Sequence, residues 1–108
     1  MAARSRRGLS RAELYARVQE WSDRLRVRPA VVRLRPMTRK WGSCSAKGTI
    51  TLSTSLLRVS NDFREYVIVH ELLHLRLKNH GRLFKSYLST YCPGWKRHEA
   101  WALRRTGR

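Results

Sequence analysis

Three of the four histidines in this chain, His70, His74 and His80, fall in one short segment, and the first two bracket a glutamate in His70-Glu71-Leu72-Leu73-His74. On a helix, residues four apart share a face at about 5 to 6 Å, so His70 and His74 can both offer an imidazole nitrogen to one zinc ion. Glu71 is turned about 100° around the axis from His70 and is placed to hold a metal-bound water rather than the metal. A catalytic zinc needs a third protein ligand and one open position, and His80 is the candidate. It lies between Asn79 and Gly81, turn-forming residues that can fold it back toward the metal. In so apolar a segment, two imidazoles and a carboxylate each cost on the order of 1 to 3 kcal/mol if left unpaired. A shared metal and its water satisfy all three. The chemistry expected is hydrolysis: zinc lowers the pKa of its water toward about 7, and Glu71 takes the proton and passes it to the leaving amine.

These residues need a helix to carry them. Ser60-Asn61-Asp62 is a start signal, with Asp62 three residues before Glu65, and it introduces Phe63 to Leu77 without a glycine or proline. Apolar residues surround this expected helix, so it should be covered on most sides. Upstream, Ser10 and Glu13 form a capping box for a helix whose stripe is Leu14, Val18, Trp21 and Leu25, and which must end before Pro29. Val31 to Arg35 alternates as a short strand near a sheet edge, with Val32 and Leu34 on one face. Arg39 to Ser45, a turn at Ala46-Lys47-Gly48, and Thr49 to Ser53 read as a hairpin that completes a three-stranded sheet. Leu56 and Leu57 suit a short helical turn. After Gly81 a further helix should present Leu83/Phe84, Tyr87/Leu88 and Tyr91 on one face, and a last one should hold Trp95 and Trp101.

Composition bounds the alternatives. The 108 residues allow one domain, 1–108, with 1–9 a flexible basic N-terminus. The longest uninterrupted apolar stretch, Val67-Ile68-Val69, is far short of the roughly 20 residues that span a bilayer, so no membrane association is expected. Cys44 and Cys92 are too few and too far apart for a disulfide framework, which fits a reducing cytoplasm. Cys44 reads as a small packed hydrophobe, and the tryptophans as core or cleft wall. Twenty-four Lys and Arg against seven Asp and Glu leave a net charge of +17. That excess attracts nucleic acid or other anionic partners at low salt without requiring a specific fold.

The segments Arg39 to Ser45, Gly48-Thr49-Ile50, Tyr66 to Leu75, Asn79-His80-Gly81 and Pro93-Gly94-Trp95-Lys96 together resemble the YgjP-like metallopeptidases, a zincin group near the SprT-like proteins. The resemblance covers roughly residues 31 to 103. It implies an α+β, small zincin-like fold, with a short three-stranded sheet packed against an active-site helix and flanking helices. It implies Zn2+ held by His70, His74 and His80, with Glu71 as catalytic base. It also implies that Trp41, Gly42, Ser43 and Cys44 form the rim of the cleft, where an extended peptide adds as another strand. The spacing to His80 equals that of the metzincins, whose turning glycine would fall at Leu77, so this chain is expected to turn later. The short format also looks like the minigluzincins, which use a glutamate as third ligand, and His80 points away from them. His98 reads as a surface or helix-end residue, with a substrate contact as the alternative. Tyr87, Tyr91 and Arg82 are open candidates for polarising the scissile carbonyl. The expected function is a cytoplasmic, monomeric zinc peptidase acting on a peptide or protein. The rivals are a nucleic-acid-binding module with an accessory zinc and a DNA-associated, SprT-like protease.

Overall fold

The computed structural model describes residues 8–105, with the side chain of Arg105 left out. Most of the expected flexible N-terminus, residues 1–7, lies outside the described residues. Gly8 and Leu9 correct the remainder of that expectation. The Leu9 amide donates to the Leu57 carbonyl at 2.9 Å, and Gly8, at φ +78, passes so close that a Cβ would lie 2.2 Å from the same oxygen.

Helix α1 spans Arg11–Leu25 and opens on the expected reciprocal cap, Ser10 N–H to Glu13 Oε1 at 2.8 Å and Glu13 N–H to Ser10 Oγ at 3.1 Å. Leu14, Val18, Trp21 and Leu25 are buried as a stripe. Strand β1 (Val31–Arg35) pairs in parallel with β3 (Thr49–Ser53), and β2 (Gly42–Cys44) pairs antiparallel with β3. The order β1-β3-β2 leaves β1 and β2 at the edges. β2 is shorter than the Arg39–Ser45 strand expected. Pairing stops one step beyond Gly42, where Ser53 N–H reaches Trp41 O at 2.9 Å. The chain before that bends so that Met37 O accepts the Ser53 hydroxyl at 3.3 Å. Gly48, at φ +92, closes the hairpin with its N–H on Ser45 O at 3.0 Å.

A 3₁₀ turn (Thr54–Arg58) leads into helix α2 (Asn61–Leu73), capped by Ser60 Oγ accepting from Phe63 N–H. Helix α3 follows at Arg82–Tyr91 and α4 at Trp95–Arg105. On α3, Phe84 and Leu88 are buried, but Leu83, expected on the same face, is exposed. α2 touches β2, β3 and all three other helices, which is why Val67, Ile68, Val69, Leu72 and Leu73 are all buried around its axis. Its Glu65 receives Arg17 Nε at 2.9 Å and also the Trp21 indole N–H, latching α1 to α2.

α2 ends four residues before the expected limit at Leu77. Beyond Leu73 the amides reach back three residues instead of four, from His74 to Glu71, Leu75 to Leu72 and Arg76 to Leu73. The Arg76 guanidinium donates to the Leu25 carbonyl at 3.1 Å and holds the departing chain against the end of α1. The chain therefore begins its turn at His74, earlier than its spacing suggested.

Candidate active site

His70 sits in the last turn of α2, His74 is its C-cap, and His80 ends the following loop. Leaving the helix at His74 lets six residues return His80 to the same place. One ring nitrogen from each histidine then lies within 4.8 Å of the others. The rings of His70, His74 and His80 have centroids 4.8 to 5.0 Å apart, and Phe84 of α3 packs beneath all three. Burial, followed by the neighbouring imidazoles, lowers the pKa of His74 and of His80 below the ordinary histidine value. Both rings therefore hold their lone pairs free of protons near neutrality.

Glu71 is buried, with 7% of its surface exposed, and its Oε2 is 3.2 Å from His70 Nδ1. Gly42 of β2 passes directly over it: a Cβ at Gly42 would lie 3.0 Å from Glu71 Cγ. Two pockets meet at this crossing. One, of about 300 Å³, has Trp41, Tyr66, Val67, Ala102 and Leu103 among its walls and Glu99 beside them. The other, of about 580 Å³, runs along Gly42, Ser43, Cys44 and the hairpin turn to His74 and Lys78. Lys40, Gly42, His70 and Glu71 line both. All four expected rim residues thus border the cleft. Burial and then Glu71 raise the Cys44 thiol above its usual range, which keeps it protonated.

The other expected residues lie elsewhere. Tyr87 and Tyr91 stack on each other with centroids 6.4 Å apart, and Tyr91 meets Trp21 edge-on. Neither they nor Arg82 lines the two pockets at the histidines. His98 faces Phe63 and Tyr66 from α4, outside the cluster of three. Tyr66 and Glu99 are among the cleft residues that were not anticipated. Tyr66 precedes His70 by four residues and packs 5.6 Å from its ring, an i, i+4 relation legible in the sequence. Glu99 reaches the cleft only because α4 packs on α2. No local pattern announces it.

A helix-borne histidine pair, a third histidine folded back to it and a buried glutamate under an edge strand make up a site of metallopeptidase type. The family model "YgjP-like, metallopeptidase domain" matches residues 2–105, and the chain belongs to that family. Two solved structures share the fold. The metallopeptidase zymogen of Methanocaldococcus jannaschii jannalysin is 26% identical, with a TM-score of 0.72 over 84% of this chain and 94% of that one. The metallopeptidase zymogen of Pyrococcus abyssi abylysin is 28% identical, with a TM-score of 0.72 over 88% of this chain and 96% of that one. No curated protein matches. The protein is a peptidase of the metal-dependent kind, with the small α+β architecture expected.

The family implies a metal ion, and the donor set fits one. His74 Nε2 and His80 Nε2 stand 2.9 Å apart. One shared proton would satisfy such a pair and leave the third imidazole out, whereas a single cation satisfies all three lone pairs. The His74 and His80 nitrogens already stand close enough to share one ion, and a nitrogen of His70 within 4.8 Å of both leaves a set that a cation would draw together. Among the described residues, no helix is long and apolar enough to cross a membrane.

Proposed function

We propose that residues 1–108 act as one zincin-type peptidase unit, with His70, His74 and His80 holding Zn2+ and Glu71 serving as general base. The observation that carries this reading is the convergence of three imidazoles within 4.8 Å beside the buried Glu71. Zinc bound there supplies Lewis-acid polarisation of a peptide carbonyl and a water acidified to a pKa of about 7. The remaining work belongs to the chain. Glu71 lies where the two pockets meet, so its carboxylate faces the bond to be cut and can accept the proton of the attacking water. It then delivers that proton to the leaving amine. Gly42, Ser43 and Cys44 offer the backbone groups of an edge strand, which an extended peptide can pair with, and Trp41 walls the cleft beside them. Soluble action in the cytoplasm as a monomer completes the proposal.

The test is metal content set against turnover on casein and on quenched fluorescent peptides. Glu71→Gln should retain stoichiometric zinc and lose cleavage, whereas His70→Ala and His80→Ala should lose the zinc itself. A His80→Ala protein that binds zinc as tightly as the parent would sink the ligand assignment.

One feature favours a second reading, attachment to nucleic acid. Beside the cleft, Trp101 stacks on Trp41 and is 44% exposed next to Arg58, Arg97 and Arg104, an aromatic within a basic surface. Binding of single-stranded DNA across a salt series, parent against Trp101→Ala, decides it. Equal affinities would leave only diffuse attraction to the net charge of +17.

A further inference from the structure

The two halves of the cleft differ in charge. The half bordered by Trp41, Tyr66 and Leu103 is mainly apolar and holds the acidic Glu99, while Lys40 borders both halves, so the contrast rests on Glu99 on one side and on Lys47 and Lys78 on the other. The other half is lined by Lys40, Lys47 and Lys78, with Glu71 as its one acidic member. The chain has five lysines among 24 basic residues, and three of the five meet in this pocket. They arrive from separate segments: the approach to β2, the hairpin turn and the loop after α2. All three are exposed, and none is in an ion pair among the described residues. A lysine ammonium is a compact charge on a flexible stem, suited to following a carboxylate in a wide pocket.

The direction of β2 orients any peptide on its free edge. Antiparallel addition, the more stable pairing, runs a peptide opposite to the course from Lys40 to Gly48. The peptide's N-terminal portion then lies beside Ser43 to Gly48, with Lys47 and Lys78. Its C-terminal portion lies beside Trp41 and Tyr66. The bond over Glu71 stands between them.

We propose that the lysine-lined half is a subsite for an acidic side chain, so that the protein cleaves bonds preceded by Glu or Asp and followed by an apolar residue. This rests on the peptidase reading and adds its substrate class. An exposed ion pair is worth a factor of about 1.4 to 5, so a carboxylate within reach of two or three lysines gains roughly tenfold over its amide.

The experiment uses peptides of one sequence with Glu, Gln or Lys before a single Leu, plus one with the Glu moved four residues toward the N-terminus. Their kcat/KM with the zinc-loaded protein is measured, and mass spectrometry locates the cut. Binding of the same peptides to zinc-loaded Glu71→Gln is read by fluorescence anisotropy. The expectation is a preference of about tenfold for Glu over Gln in both assays, which falls toward unity in K47Q/K78Q while zinc content and melting temperature hold. Equal values for Glu and Gln would overturn the subsite. A displaced Glu that works as well as the adjacent one would reduce it to the overall field, and cleavage before Glu and after Leu would reverse the orientation. If no peptide is cut yet Glu71→Gln binds Glu selectively, the subsite stands and the catalytic reading falls.

Discussion

Gly42→Ala tests how the edge strand and the proposed base are coupled. The added Cβ would stand 3.0 Å from Glu71 Cγ, 3.2 Å from Leu52 Cδ2 and 3.2 Å from the Thr51 carbonyl oxygen. Carbon atoms prefer about 3.5 to 4.0 Å, so roughly 0.5 Å or more must be found against Glu71. Thr51 cannot recede, since it belongs to β3 and lies opposite Ser43 in the ladder, and Leu52 is fully enclosed. Glu71 borders the open cleft, so the displacement falls on it and loosens its 3.2 Å contact with His70. A 1 Å misplacement of a reacting group can cost about a hundredfold, so half of that implies about tenfold in kcat, or about 1.4 kcal/mol of barrier. Overpacking also lowers stability by about 1 to 3 kcal/mol, so kcat is measured well below the melting transition, with zinc content determined on the same samples. Gly81→Ala is the control, because a Cβ there meets nothing within 4 Å. A folded, zinc-loaded Gly42→Ala protein with the parent's kcat would refute the argument that this glycine exists to admit Glu71.

Two further outcomes follow from one buried and one half-buried polar group. The Arg64 guanidinium, 2% exposed, donates to Leu56 O at 2.7 Å, Val59 O at 2.8 Å and Asn61 Oδ1 at 2.5 Å, tying the 3₁₀ turn to the start of α2. Arg64→Leu strands these acceptors and should cost about 3 kcal/mol or more in denaturant unfolding; a loss below about 1 kcal/mol would contradict it. His98 has its pKa lowered, chiefly by burial, with Asp62 opposing and Arg97 adding to the effect. The unfolded chain therefore takes up this proton first on acidification, so stability from His98 is present above the ordinary value of 6.5 and is lost as pH falls from there toward the folded value. With zinc bound at the proposed ligands His70, His74 and His80, a single ring should titrate by NMR with a midpoint below 6.5. A midpoint at or above that value would count against the half-buried setting of His98 beside Tyr66.

Local chemistry made much of the fold legible. The Ser10 and Glu13 cap needs only residues three apart, and both of its bonds form. The β2–β3 hairpin needs only a glycine able to take φ +92 between two short strands. Other features have no local cause. The parallel pairing of β1 with β3 joins segments separated by the whole hairpin, and the end of α2 at Leu73 involves no glycine or proline. That end is held from outside, by Arg76 on the last carbonyl of α1. Leu83 has the period of the buried face of α3 yet remains exposed.

From the sequence alone came the residue types of the candidate site and their order, since the i, i+4 geometry of a helix is enough to set His70 beside His74 and to turn Glu71 aside from them. Tertiary structure decided what surrounds that motif. It brought His80 to within 2.9 Å of His74 by ending the helix early, laid Gly42 over Glu71, supplied Tyr66 and Glu99 to one half of the cleft, and gathered three lysines from three segments into the other. The physical reason is range. Helix period and capping act over three or four residues, whereas a cleft is assembled by packing between elements distant in the chain, where close approach and shared burial choose the neighbours.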